Sequence, residues 1–143
     1  MRVEIPSISD TESHHKWEQA LIHLFNLEGW NLQWCGGGME HYDAKGKTPR
    51  GYDCVIEFKL RNKYYREKVL EKFKYDKLME LDCMKFYFVA DEKGNYLYFL
   101  DTLQLPEPIK IKCKTTDKFD RCELIDKEVY LLSESQASIL NRY

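Results

Sequence analysis

The run Cys54-Val55-Ile56-Glu57-Phe58-Lys59-Leu60 decides how this chain is read. Its β-branched and aromatic residues favour a strand, and side chains along a strand alternate between its two faces. Cys54, Ile56, Phe58 and Leu60 therefore share one face, while Glu57, Lys59 and Arg61 share the other. A carboxylate and an ammonium two residues apart inside a β-prone run need an explanation. The solvent-facing side of an edge strand is one; a site that uses both charges is another.

Immediately upstream, Gly46-Lys47-Thr48-Pro49-Arg50-Gly51 has the chemistry of a hairpin loop. It would join a strand over about 39–45 to the strand over 52–61. That hairpin brings Asp43 toward Glu57. With Asp43 opposite Val55, the expected register, Asp43 shares the face of Glu57 and Lys59; a slip of one residue would send it to the other face. Asp53 also shares that face, but four residues of strand hold it roughly 13 Å from Glu57, too far for one ion. Two converging carboxylates repel and desolvate each other unless a cation lies between them. An all-oxygen donor set favours a hard ion such as Mg²⁺, or Mn²⁺. A lysine beside them suits charge that develops on phosphate.

The elements around the hairpin complete an α/β plan. Asp10, Thr11 and Ser13 offer N-cap oxygens to a first helix, in which Trp17, Leu21, Leu24 and Phe25 form an apolar stripe and Gly29 closes the end. At about 100° per residue, Glu18 projects at the margin of that stripe, between Ile22 and Phe25. A strand over 30–35 ends at Gly36-Gly37-Gly38. After the central strand, a charged helix is expected over 62–81, with Val69, Leu70, Phe73 and Leu81 on one side. Strands follow over 84–90 and 96–100, joined by a turn at 91–95, then short strands over 109–114 and 128–132. Ser133-x-x-Gln136 has the form of a capping box opening a last helix over 136–141. Order and spacing predict a central mixed sheet flanked by helices.

A length of 143 residues suits a single domain, here 1–143, with a core over about 11–100 and a C-terminal extension over 101–143. The chain is 43% apolar and 32% charged, the composition of a globular protein. No segment approaches the ~20 apolar residues of a membrane span, and Met1–Asp10 does not read as a signal peptide, so a cytoplasmic location is expected. Five widely spaced cysteines fit reduced core residues better than a disulfide framework or a zinc knuckle. The net charge of −2 hides a local excess. Between Lys45 and Lys77 stand 11 of the 22 Lys and Arg residues but only 5 of the 24 Asp and Glu, a balance of +6.

Asp43, thirteen intervening residues and Glu57-Phe58-Lys59 resemble the D…(E/D)-x-K signature of the PD-(D/E)XK nuclease superfamily. The preceding helix and the hairpin setting match that family's restriction-endonuclease-like α-β-β-β-α-β core, so the resemblance covers about residues 11 to 90. Tyr42 stands where the signature has proline, and the stretch after Asp101 has no family counterpart in the pattern. The resemblance implies that Asp43 and Glu57 bind the metal, with a main-chain carbonyl near Phe58, and that Lys59 positions the attacking water. Many members add a glutamate from the first helix, and Glu18 is the matching position. A polar residue of the helix after the central strand often faces phosphate, a place open to Arg66, Lys74 or Lys77. Lys45, Lys47 and Arg50 in the hairpin, with Arg61, border the expected site and suit the phosphates of DNA.

The expectation is a Mg²⁺-dependent endodeoxyribonuclease. A compact lone domain carrying Glu18 resembles the Holliday-junction resolvase branch, commonly homodimeric and belonging to DNA recombination, or a small phage-type endonuclease. Two other classes stay open: a DNA-binding module that keeps the fold without cutting, and an interaction or inhibitor protein presenting the aromatic strands Phe86 to Tyr98 to a partner.

Overall fold

Leu21, Ile22 and Phe25 recur at helical spacing and are buried. They hold helix α1 (Thr11–Leu27) against one face of a sheet. Gly29, at φ +100°, ends the helix, and the Trp30 N–H returns to the Phe25 carbonyl. The structure is a computed structural model that describes residues 11–36, 38–116 and 122–142. The expected cap Asp10 and Gly37 lie outside that range, as do the side chains of Cys113 and Cys122.

After α1 the chain forms β1 (Asn31–Trp34), β2 (Ala44–Lys47), β3 (Asp53–Leu60), β4 (Lys68–Glu71), α2 (Lys72–Met79), β5 (Met84–Asp91) and β6 (Gly94–Phe99). Then come β7 (Ile109–Thr116), β8 (Cys122–Leu132), a 3₁₀ turn (Glu134–Gln136) and β9 (Ile139–Arg142). Six strands make a mixed sheet in the order β1-β2-β3-β5-β6-β9, and β4-β8-β7 make a second sheet. Among the described residues, only β3 and β5 pair in parallel, from Cys54↔Met84 to Leu60↔Ala90. A parallel pair requires a crossover, and here β4 and α2 provide it.

The expected alternation of β3 divides the core in two. Cys54, Ile56 and Phe58 pack with Phe86, Phe88 and α1. Val55 lies on the other face, with Tyr87, Val89, Leu70 of β4, Leu78 of α2 and Tyr130 of β8. The aromatic strands β5 and β6 are interior: Phe86, Tyr87, Phe88, Tyr96 and Tyr98 are all buried. They offer no exposed face to a partner, which removes the ground for the interaction-protein reading.

Three expected elements differ. Residues 68–71, expected as helix, pair with β8 from Lys68↔Leu132 to Glu71↔Val129. Strand pairing with a distant segment buries Leu70 completely and leaves Phe73, expected on the apolar side, 64% exposed. Residues 139–142 are likewise a strand along the edge of β6, although the Ser133–Gln136 capping box before them is formed. Finally, β2 starts at Ala44 rather than near Met39, so Gly46 lies within the strand and not in the loop. A Cβ at Gly46 would strike the Asn31 carbonyl, so glycine lets β1 close onto β2.

Across the crossover, Lys68 is buried and ion-paired to Asp91 at 2.8 Å, with its ammonium over the rings of Tyr64 and Tyr96. This pair ties β4 to the end of β5. Among the described residues, no helix is long and apolar enough to cross a membrane.

Candidate active site

Backbone bonds fix Asp43 just ahead of β2. Its N–H donates to the Ile56 carbonyl (3.0 Å) and its carbonyl accepts from the Cys35 N–H (2.7 Å). The β2–β3 register runs Ala44↔Ile56 and Lys45↔Val55, so Val55 faces Lys45 instead of the expected Asp43. The two-residue difference preserves the face, because side chains alternate with period two. It also advances Asp43 to the level of Glu57. The Asp43 side chain then turns onto β3, where Oδ2 accepts from the Phe58 N–H at 2.8 Å.

Glu57 is 6% exposed. Its Oε1 accepts from Lys74 Nζ of α2 at 2.9 Å. Burial, then the negative charge of Asp43, push its pKa up to about 7, against the pull of Lys74. Asp43 is also raised, chiefly by burial, with the Phe58 N–H, the Lys74 charge and a hydrogen bond from Glu57 opposing. A hydrogen bond links the two carboxyl groups, of which Glu57 is buried and Asp43 half-buried. Burial alone would draw Lys74 down, but Glu57 outweighs it and holds its pKa above the ordinary lysine value.

Glu18 approaches from the α1 layer. Its Oε2 accepts from Trp34 Nε1 at 3.4 Å. Burial and then Asp43 raise its pKa, so it lies within electrostatic range of the pair. Among the described residues, no three His, Cys, Asp or Glu side chains, Glu18 with Asp43 and Glu57 included, form a group that could hold one metal ion.

Lys59 follows Glu57 on the same face of β3. Burial first, then the charges of Arg61 and Lys74, lower its pKa to about 8. It lines a cleft of about 640 Å³ between β3 and β5 on one side and the second sheet on the other. Arg61 lines the same cleft.

The other basic candidates disperse. Arg66 is exposed and borders a different hollow beside Ser133–Gln136, because the helix expected to carry it does not form there. Lys77 lies on α2 but near Glu80 (3.9 Å) and the Phe73 ring. Lys47 is bound to Asp53 at 2.6 Å. Lys45 is exposed on β2 and Arg50 is exposed at the hairpin turn. In the sequence, Lys74 is one of three equivalent candidates to face phosphate, with Arg66 and Lys77. Its contact with Glu57 depends on α2 beginning at Lys72, a start that the smooth run of charged residues conceals.

The donor set suits a hard divalent cation. Two desolvated carboxylates in contact, with one ammonium drawn to them, are short of positive charge, and Mg²⁺ commonly takes one or two carboxylates and keeps several waters. The missing third carboxylate therefore does not exclude such an ion.

Neither the protein-family models nor the curated proteins contain a match. Five solved chains do match. One is Hjc of Archaeoglobus fulgidus, a Holliday junction resolvase from an archaeal hyperthermophile. It has a TM-score of 0.57 and 12% sequence identity, over 89% of this chain and 88% of that one. The chain thus has the restriction-endonuclease-like α/β fold expected from its sequence. A match over 89% of the chain exceeds what residues 1–101 supply, so part of the stretch after Asp101 has a counterpart as well.

Proposed function

We propose that this chain is a metal-dependent nuclease that hydrolyses phosphodiester bonds in DNA, with Asp43, Glu57 and Lys59 at its centre and Glu18 at its margin. The approach of the half-buried Asp43 carboxylate, turned onto the Phe58 N–H, to the buried Glu57 carboxylate on the same face of β3 carries this reading, each with its pKa raised chiefly by burial. Burying carboxylates together without a cation is costly, and proteins accept such costs at functional sites. The fold shared with a Holliday junction resolvase supports it, and a branched DNA intermediate of recombination is the substrate to try first.

Asp43 and Glu57 would hold Mg²⁺ or Mn²⁺, with a main-chain carbonyl near Phe58. When bound, such an ion acts as a Lewis acid and lowers the pKa of water. The protein supplies position and charge. Lys59 and Lys74 flank Glu57 from two different elements, and both ammonium groups are available to phosphate oxygens. With its pKa pulled to about 8, Lys59 also suits taking a proton from the attacking water. Glu18 adds negative charge from α1, and the Trp34 indole fixes its direction.

The Lys74–Glu57 ion pair favours one rival, a DNA-binding module that neutralises its own acidic site and never cuts. Plasmid, linear duplex and four-way-junction DNA incubated with Mg²⁺ or Mn²⁺ separate the two. Cleavage by the wild type, reduced at least ~100-fold in Asp43→Asn and Lys59→Ala, is expected for the enzyme. Binding of all three DNAs without a cut in either metal would leave the module.

A further inference from the structure

The cleft beside Lys59 is larger than the catalytic reading requires, and its far wall comes from the part of the chain that the nuclease signature does not reach. Lys112 of β7 and Lys127 of β8 line it together with Arg61 and Lys59 of β3, and Tyr65 lines it as well. The charges are unevenly satisfied. Asp91 is neutralised by Lys68 and Glu71 by Lys127 (3.4 Å). That leaves Lys59, Arg61 and Lys112 without an ion pair among the described residues, against Glu67 alone of the lining carboxylates. Tyr65 is 53% exposed, and the Arg61 guanidinium lies 5.9 Å from its ring centroid.

Cations lining a groove beside an exposed aromatic ring are the two elements of single-strand recognition: charge tracks the phosphates and the ring stacks a base. A volume of about 640 Å³ is that of a small-ligand site, enough for a short stretch of single strand. The cleft continues from the cutting centre through Lys59, two residues from Glu57 on the same strand.

We infer that this inter-sheet cleft holds a single-stranded segment of the nucleic acid next to the bond that is cut, with Lys112 on phosphate and Tyr65 stacked on a base. The inference rests on the nuclease reading for its meaning, yet binding can be measured apart from cutting. A fluorescent oligothymidylate and a duplex of equal length are titrated onto the full chain in EDTA, over a range of salt.

The wild type should bind the single strand more tightly than the duplex. Lys112→Glu should weaken single-strand binding at least tenfold and reduce the salt slope by about one phosphate contact. Tyr65→Ala should weaken it about fivefold or more. Because Lys112 stands across from Asp126 in the β7–β8 ladder, Lys112→Ala provides a variant without added negative charge, checked by thermal melting. Wild-type affinity in all three variants, or no preference for the single strand, overturns the inference. So does a polyglutamate peptide that competes as well as DNA and is indifferent to Tyr65→Ala, which would make the cleft a seat for acidic peptide. A protein that binds as expected but never cuts with Mg²⁺ or Mn²⁺ defeats the nuclease reading alone. One that cuts, with binding untouched by these variants, defeats the cleft alone.

Discussion

Lys74 Nζ, from α2, lies 2.9 Å from Glu57 Oε1 in β3, so the most buried carboxylate of the site is met by an ammonium from the crossover and not by its own strand neighbour Lys59. This contact couples the position of α2 to the charge state of the central strand. It also sets Lys74 and Asp43 in opposition, one drawing the Glu57 pKa down and the other pushing it up.

Two substitutions should therefore move the Glu57 titration in opposite directions. Without metal, Lys74→Met removes the principal opposing charge, and the carboxyl should titrate above its value of about 7. Asp43→Asn removes the like charge but keeps an oxygen for the Phe58 N–H, so the titration should fall. Burial persists in both variants, so neither should reach the ~4.3 of a free glutamate. Carboxyl-carbon NMR across pH 3 to 9 reads both directly. Identical curves in both variants would mean that the charges do not interact.

Stability should follow from the same shift. A carboxyl whose pKa is higher in the folded than in the unfolded chain holds its proton more tightly when folded. Its favourable contribution is complete below the unfolded value and is lost as pH rises through the folded one, here about 7. Glu57→Gln cannot ionise, so in metal-free buffer its stability relative to wild type should grow between pH 4.5 and 7.5 and then level off. Adding Mg²⁺ or Mn²⁺ at a hundred times its Kd should stabilise the wild type by ~2.7 kcal/mol and the variant far less. Melting temperatures over pH and metal concentration check both. An equal response of the two proteins to metal would remove Glu57 from the ion's ligands.

Much of this arrangement was legible in the sequence, and the failures have common causes. The alternation of residues 54–60 placed Glu57 and Lys59 opposite the α1 face because local periodicity reports which face is buried. The Asp43 register differs by two residues, since the start of β2 depends on Trp34 of β1, which pairs with Ala44, and on the Cys35 N–H, which meets the Asp43 carbonyl. Residues 68–71 look helical locally, with lysine and glutamate abundant, and only β8, some sixty residues away, makes them a strand. The Lys74–Glu57 contact is hidden for the same reason, because a helix that starts at 62 gives Lys74 a different rotation from one that starts at Lys72. Ile139–Arg142 became a strand for a similar reason: the edge of β6 was open to pairing.

The hairpin makes a separate claim testable. Gly46 pairs opposite Leu32 in β1, and an added methyl would meet the Asn31 carbonyl. Gly46→Ala should force β1 from β2 and cost roughly 1–3 kcal/mol. Because Cys35 and Ile56 hold Asp43 through the same ladder, its carboxylate should lose its fixed approach to Phe58. Denaturant unfolding and a metal titration should therefore fail together. Full stability with weakened metal binding would instead place the role of Gly46 in the site itself.

The two lysines should separate in kinetics. Lys74, with its pKa raised, stays charged through neutral pH; Lys59, lowered to about 8, loses its proton within the working range. A bound divalent cation would lower Lys59 further, through like-charge repulsion. Single-turnover cleavage at saturating metal should then rise with pH and level off at or below about 8. Lys59→Arg keeps the positive charge but cannot give up its proton in this range, so it should retain DNA affinity, lose the rise and slow cleavage by about 10²-fold. Lys74→Ala should keep the pH profile while weakening DNA binding, because its charge serves phosphate and Glu57 without moving a proton. If Lys59→Arg cuts at the wild-type rate with an unchanged profile, Lys59 acts as a fixed charge only, and the proton of the attacking water leaves by another route.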